Sequence, residues 1–579
     1  MPVFYEHQNG RTYKVDDRGE RTQLANFIAE ITHETRYLDG RTTETILTIV
    51  GKQEDTDLPP IEVTAEQFAT LTWIMPGWGV QAIVNPGGGT KDDLRAAIQT
   101  FSKPHKTTIH RHIGWTTLNG RRNYLHGRGA INDKGADSTV RVDLPDELSR
   151  YCLPDPNLLP PDDFIRATLA LTRIAPRHIT WTLLAATLAP LYGPADFAIH
   201  LAGKTGTFKS ELLSLYQSHY GCDMDARHLP GSWSSTANAL EAQAYYAKNA
   251  VFSVDDFVPM GTAWQQRSYQ TTADKIIRSQ GNQSGRARLT DTSALQTAMY
   301  PRGLILSSGE DVPEGHSVRA RMMILELSPG DITAQNLTAA QKQRTKYPHT
   351  TANLIMYLAG HDVDLKDAAE NIRNQYLDVG HTRTPPMIGR LIATINHFLW
   401  WSTEIQAMTV DNAAAIATQA AEAILEAANK QQHYLQAQDP CEVFCNTIRH
   451  ILTAHLGHVR TLNGGIPRNP TLLGWTEEAT AGDIPTFRSH GPCIGWADWS
   501  TDAFYLDATA GYNTVKKHAG NELPTTKQTM MRRLKDDGLL TRVDDTRQRN
   551  TVRITAETHP RQVLMMPLSQ TLDIQEKPE

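Results

Sequence analysis

At 579 residues the chain is longer than a single hydrophobic core usually serves, so three or four domains are expected. Its 40% hydrophobic and 21% charged residues are those of folded soluble protein, and its longest apolar run, Ile179 to Tyr192, is interrupted by Thr180 and Thr182 and falls short of the ~20 residues of a bilayer span. A polar N-terminus argues against export, five scattered cysteines argue against a disulfide framework or zinc, and a net charge of −6 leaves room only for a local basic face or channel. Reducing cytoplasm and no membrane partner are expected.

Residues 1–152 read as an α+β accessory domain. Thr43 to Val50 (TETILTIV) predicts a strand, and Ala65 to Trp73 a helix opened by Thr64. Asn85 to Gly89 (NPGGG) leads into a helix over Thr90 to Phe101, with Thr90 placed to cap it. Without a following Lys-Ser/Thr pair, those glycines read as a turn. His110 and His112 alternate on a strand without a ligand partner at metal spacing, and Asn119-Gly120 predicts a hairpin turn. The Pro-rich run Leu153 to Pro161 marks the first expected boundary.

The strongest motif is Ala195 to Ser210, ADFAIHLAGKTGTFKS, with a helical segment after it. An apolar strand enters a loop formed by Gly203, Lys204, Thr205, Gly206, Thr207 and Phe208, and Lys209 and Ser210 open the helix. Such a loop binds the phosphates of ATP: glycines let backbone N–H groups approach, Lys209 neutralises β/γ oxygens, and the Ser210 hydroxyl reaches Mg²⁺. Phe208 stands where Gly is usual. One α/β unit later, NAVFSVDDF (Asn249 to Phe257) is a strand ending in Asp255, expected to hold Mg²⁺, and Asp256, expected to polarise the attacking water.

A third strand, GLILS, ends at Ser307, followed by Ser308 and Glu310; Ser307 fits either orientation of the lytic water or a turn cap. In SVRARMMILEL, Arg319 and Arg321 precede a fourth strand, and Arg321 is favoured as an arginine finger reaching a neighbouring subunit's site. The segment Asp274 to Arg302 carries Arg286 and Arg288 in GNQSGRARL, which fits either a surface loop or a DNA-gripping loop. Residues 162–329 are therefore expected to form an α/β P-loop ATPase core, a parallel sheet flanked by helices.

Residues 330–464 read as an α-helical subdomain, with Asn412 to Asn429 its clearest helix. Residues 465–569 read as a winged-helix-like domain, with strand signals at Trp496 to Leu506 and a helix over Thr525 to Leu540 bearing Lys527, Arg532 and Arg533. Strand-like runs over Thr541 to Ile554 follow, and residues 570–579 form a tail. Such a domain serves either DNA or protein docking, and the three cations favour DNA.

Together, GSWSSTANALEAQAYYAKN, the loop of GxTGxFKS kind, GNQSGRARL and SVRAR resemble a bacterial family of ATPase domains of uncharacterised function found in plasmids, phages and genomic islands. That family is similar to the MCM-like helicases of staphylococcal cassette chromosomes. The resemblance covers Asp196 to Leu327 well, the preceding part more loosely and the C-terminal domain by outline. It implies an AAA+ core, a hexameric ring on DNA, use of ATP and Mg²⁺, 3′-to-5′ helicase activity and a role in replicating a mobile element. It also implies nucleotide-site roles for Gly203, Gly206, Lys209, Ser210, Asp255 and Asp256, a finger at Arg321 and a sensor arginine at Arg383. MCM proteins too carry a non-Gly residue before the lysine. A nucleotide-switched DNA-binding regulator that never unwinds, and an assembly scaffold with an inactive site, are the competing functions.

Overall fold

In the computed structural model, residues 4–573 are described except 286–287, 290–294, 297, 437–438, 479–484, 521–522, 524–525 and 542–549. The fold is mixed α/β with several sheets, and the chain forms two compact units: residues 1–313 with 321–428, and residues 314–320 with 429–579.

The first unit opens with a three-stranded antiparallel sheet and a five-stranded sheet built around Ile28–Leu38 and Thr43–Gln53. Thr64 caps the helix Ala65–Thr70 through a reciprocal pair of hydrogen bonds with Gln67. The helix Thr90–Phe101 has the expected bounds, but its cap is Gly89, in left-handed conformation at φ 82, and Thr90 is its first helical residue. Asn119 (φ 50) and Gly120 (φ 74) turn the hairpin between Gly114–Leu118 and Arg121–His126, a left-handed pair that matches strand twist. His110 and His112 are both buried; burial pulls His112 down to about 4, and its Nδ1 lies 2.8 Å from the Ile113 carbonyl.

The Pro-rich run does not divide this unit. Trp115 Nε1 donates to the Leu191 carbonyl (2.7 Å), Tyr124 Oη to that of Asn249 (2.9 Å) and Tyr151 Oη to that of Val251 (2.7 Å). Both tyrosines are fully buried, so the strands before the prolines and the sheet after them share one interior. Prolines end local hydrogen bonding without preventing aromatic side chains on either side from packing together.

The central sheet comprises β1 (Ala198–Gly203), β2 (Gly231–Ser232), β3 (Val251–Phe257), β4 (Leu304–Gly309) and β5 (Met322–Leu327). All pairs are parallel, in the order β2-β3-β4-β1-β5. Its strands are buried apolar runs, as a parallel sheet covered on both faces requires. Helix α1 (Lys209–Gln217) follows β1, and α2 (Ala263–Asn282) follows β3. Arg177–Leu188, the apolar run of the sequence, is a helix buried from His178 onward, and among the described residues no helix is long and apolar enough to cross a membrane. Residues 330–428 are largely helical and belong to this unit.

The second unit contains a five-stranded sheet with helices Pro440–Thr453, α3 (Ala510–Ala519) and α4 (Lys527–Asp536) packed on it. The sequence divides the chain at 464, whereas Phe444, Ile448 and Val459 already lie in this core, so the division falls at 429. After α4 the described hairpin is β6 (Val552–Ala556) with β7 (His559–Pro567), later than the Thr541 to Ile554 of the sequence reading; residues 542–549 lie outside the described residues.

Candidate functional site

The loop between β1 and α1 is shaped by three backbone demands. A Cβ on Gly203 would fall 2.5 Å from the Leu327 carbonyl oxygen, so only glycine lets β1 pass β5 there. Gly206 takes φ 86, and Phe208 takes φ 65, ψ 25 with its side chain 39% exposed. Position 208 thus has the left-handed conformation that glycine adopts without strain and that costs a side-chain-bearing residue roughly 1–2 kcal/mol. This accounts for the usual glycine and shows that Phe208 preserves the loop's path.

The Lys204 carbonyl gathers the loop, accepting from Thr207 N (3.3 Å), Thr207 Oγ1 (2.8 Å) and Lys209 Nζ (2.9 Å). Burial pulls the Lys209 ammonium below its ordinary range, opposed by Glu310, Asp255 and Asp256 in that order. The Ser210 hydroxyl donates to Asp255 Oδ1 at 3.1 Å, and Ser308 donates to the same oxygen. Thr205, at the loop's tip, donates its hydroxyl to Glu310. Lys209, Ser210, Asp255, Ser308 and Glu310 therefore meet at the C-terminal ends of β1, β3 and β4, where open α/β sheets bind ligands. Asp256 lies one residue on, exposed, at φ 69 within the bulge where β3 changes register between Val254 and Phe257.

Ser307 points the other way. Its hydroxyl is buried (1%) and accepts from Trp233 Nε1 at 2.9 Å, so its proton goes to His200 Nδ1, also at 2.9 Å, leaving His200 Nε2–H for the Asp311 carbonyl. Alternation along a strand explains the difference, since Ser308 and Glu310 share one face of β4 and its continuation while Ser307 takes the other. Ser307 is thus a buried core residue whose hydroxyl is engaged by Trp233 and His200. Ser307→Ala is expected to cost about 1–3 kcal/mol in denaturant unfolding, because the buried Trp233 N–H loses its acceptor, while ATP affinity stays unchanged.

Arg321 stands at the opposite end of the sheet. Its carbonyl accepts from Ala198 N (2.9 Å), whereas Leu327 pairs with Gly203, so five residues of strand, roughly 17 Å, separate it from the loop between β1 and α1. Its stem lies over Gly281, and Nε and Nη2 reach Asn282 Oδ1 at 3.3 and 3.0 Å. Arg383 joins it by donating to the Gly281 carbonyl (3.2 Å), so both guanidiniums gather at the C-terminal end of α2, the negative pole of the helix. Burial, then Arg383 and Arg278, push the Arg321 guanidinium down from its ordinary value. Arg383 accordingly does not belong to its own chain's loop, a placement the sequence could not give.

Of the expected DNA contacts, Lys527 reaches Thr509 Oγ1 (3.3 Å), Arg532 is exposed and Arg533 half-buried on α4, whose Met530, Met531 and Leu534 face the core. Arg286 lies outside the described residues, and Arg288 is placed by its backbone alone, in a two-residue strand paired with Leu295–Gln296. The Asp439 and Asp537 carboxylates lie within 4.8 Å of the Cys441 sulfur. Asp439 is already engaged in capping Cys441 N and Glu442 N, and burial, with Asp537, pushes the thiol up from its ordinary value.

Residues 78–299 match the model of a domain of unknown function, DUF927, a stretch that spans the Pro-rich run and ends short of β4. No curated protein sequence matches the chain. Among solved structures, "SCCmec type IV Cch - active helicase" aligns over 98% of this chain and 99% of its own with 13% identity and a TM-score of 0.54. Two structures of the NrS-1 C-terminal region each align over 79% of this chain and 96% of their own, with 11% identity and TM-scores of 0.25 and 0.24. Only the first is close enough to describe the fold, and the likeness to a cassette-chromosome helicase inferred from the motifs is met at that level.

Proposed function

We propose that this chain, which has the fold of a cassette-chromosome helicase, is an ATP-dependent DNA helicase or replication-initiation ATPase of a mobile element, with an AAA+ P-loop core. The observation that carries the reading is the meeting of Lys209 and Ser210 with Asp255, 45 residues away, at the C-terminal edge of a parallel sheet. The oxygens of Ser210 and Asp255 suit a hard cation, and the glycine loop opening α1 suits phosphates. Mg²⁺ held there would neutralise charge on the β- and γ-phosphates. Lys209 would leave the Lys204 carbonyl for those oxygens, Asp255 would anchor the metal, and the N–H groups of residues 203–210 would orient the triphosphate.

Arg321 and Arg383 lie too far from their own loop to serve it, which supports a ring, taken as a hexamer, in which they complete an adjacent subunit's site. DNA would be held by Arg286 and Arg288 and by Lys527, Arg532 and Arg533 of a winged-helix-like domain, in a cytoplasmic protein. The test is ATP hydrolysis with and without single-stranded DNA, together with strand separation on a forked duplex. Turnover several-fold faster with DNA, and ATP-dependent unwinding, are expected; slow turnover indifferent to DNA without unwinding would turn the reading to a nucleotide-switched DNA-binding regulator.

A further inference from the structure

We propose that Glu310, rather than Asp256, is the carboxylate that polarises the attacking water, an inference that rests on the nucleotide site described above. The pairing of Phe257 with Gly309 resumes after the β3 bulge, and Glu310 N donates to the Phe257 carbonyl at 3.2 Å, fixing Glu310 one step beyond the sheet's edge. Its carboxylate accepts the hydroxyl of Thr205, between Gly203 and Gly206, and so lies on the phosphate loop itself. Ser308, on the same face, bonds the Asp255 carboxylate. Asp256 and Glu310 are both exposed, but Asp256 is held by a left-handed backbone at the bulge and is one methylene shorter.

In the reaction the water oxygen bonds to the γ-phosphorus while the bond from that phosphorus to the bridging oxygen breaks, its electron pair leaving on ADP. The water's proton passes to Glu310 and from it to solvent, giving ADP, phosphate and a proton. A carboxylate on the loop also repels a third phosphate more than it repels ADP, which gives a readout independent of turnover.

The experiment uses the full chain, with single-turnover hydrolysis and equilibrium binding of ATPγS and ADP. Glu310→Gln is expected to slow hydrolysis about 10²-fold or more, the scale of a lost general base, while tightening ATPγS several-fold relative to ADP. Glu310→Asp retains part of the rate, and Asp256→Asn stays within about tenfold of the parent. Glu310→Gln turnover within about fivefold of the parent, or a larger loss in Asp256→Asn than in Glu310→Gln, overturns the assignment while leaving the nucleotide site intact. A parent that binds neither nucleotide, or a Lys209→Ala variant that binds both as the parent does, overturns the nucleotide site and this assignment with it.

Discussion

Arg321→Ala is expected to bind ATP as the parent does and to hydrolyse it roughly 10³ to 10⁵ times more slowly, the range for loss of an arginine finger. Five residues of strand along β1 and β5 separate Arg321 from the loop between β1 and α1, farther than an arginine side chain reaches within the folded sheet. Its contacts include Asn282 and Gly281, and a far-UV circular-dichroism spectrum and unfolding midpoint like the parent's check that the variant folds. Mixing Arg321→Ala with Lys209→Ala should restore part of the activity, because some interfaces then pair an intact loop with an intact finger. Rate against mixing ratio, with size measurement of mixed assemblies, checks this. Mixed assemblies that stay inactive would exclude Arg321 as a finger in trans and direct the test to Arg319. Arg383→Ala should follow the same complementation pattern, since its guanidinium shares the Gly281 end of α2 with Arg321.

Lys209→Ala and Asp255→Ala are each expected to reduce turnover by about 10²–10³-fold or more, the scale for loss of one preorganised charge partner at a reacting phosphate. Their binding signatures should differ. Lys209→Ala removes a cation that in the free chain is held by the Lys204 carbonyl and is already partly desolvated, so ATP affinity should fall more than ADP affinity. Asp255→Ala strips the acceptor from both Ser210 and Ser308, so the Mg²⁺ concentration needed for half-maximal rate should rise well before nucleotide affinity changes. Titrations of nucleotide at fixed Mg²⁺, and of Mg²⁺ at fixed nucleotide, separate the two. Hydrolysis by either variant within a few-fold of the parent would refute the site.

The sequence by itself determined what lies within a few residues of its cause. The strand, loop and helix over Ala195 to Ser210 are legible because strand, glycines, Lys209 and Ser210 occupy sixteen consecutive residues whose conformations are set locally. The Thr64 cap, the Asn119-Gly120 turn and the span of Thr90–Phe101 are legible for the same reason, since capping and left-handed turns are decided by hydrogen bonds across three or four residues. Tertiary structure alone decided which strand-end residues face the site. Ser307 and Ser308 are equivalent in composition, and only the register of β4, with Leu201 opposite Ser308 and Val254 opposite Ser307, sends one to the interior and the other to Asp255. A shift of one residue would exchange them, because side chains alternate along a strand. The same long-range pairing carries Glu310 to Thr205 across 105 residues and gathers Arg321 and Arg383 on α2. It also joins the strands before the Pro-rich run to the parallel sheet through Tyr124 and Tyr151, for packing depends on which distant surfaces meet, and no local pattern of residues encodes that.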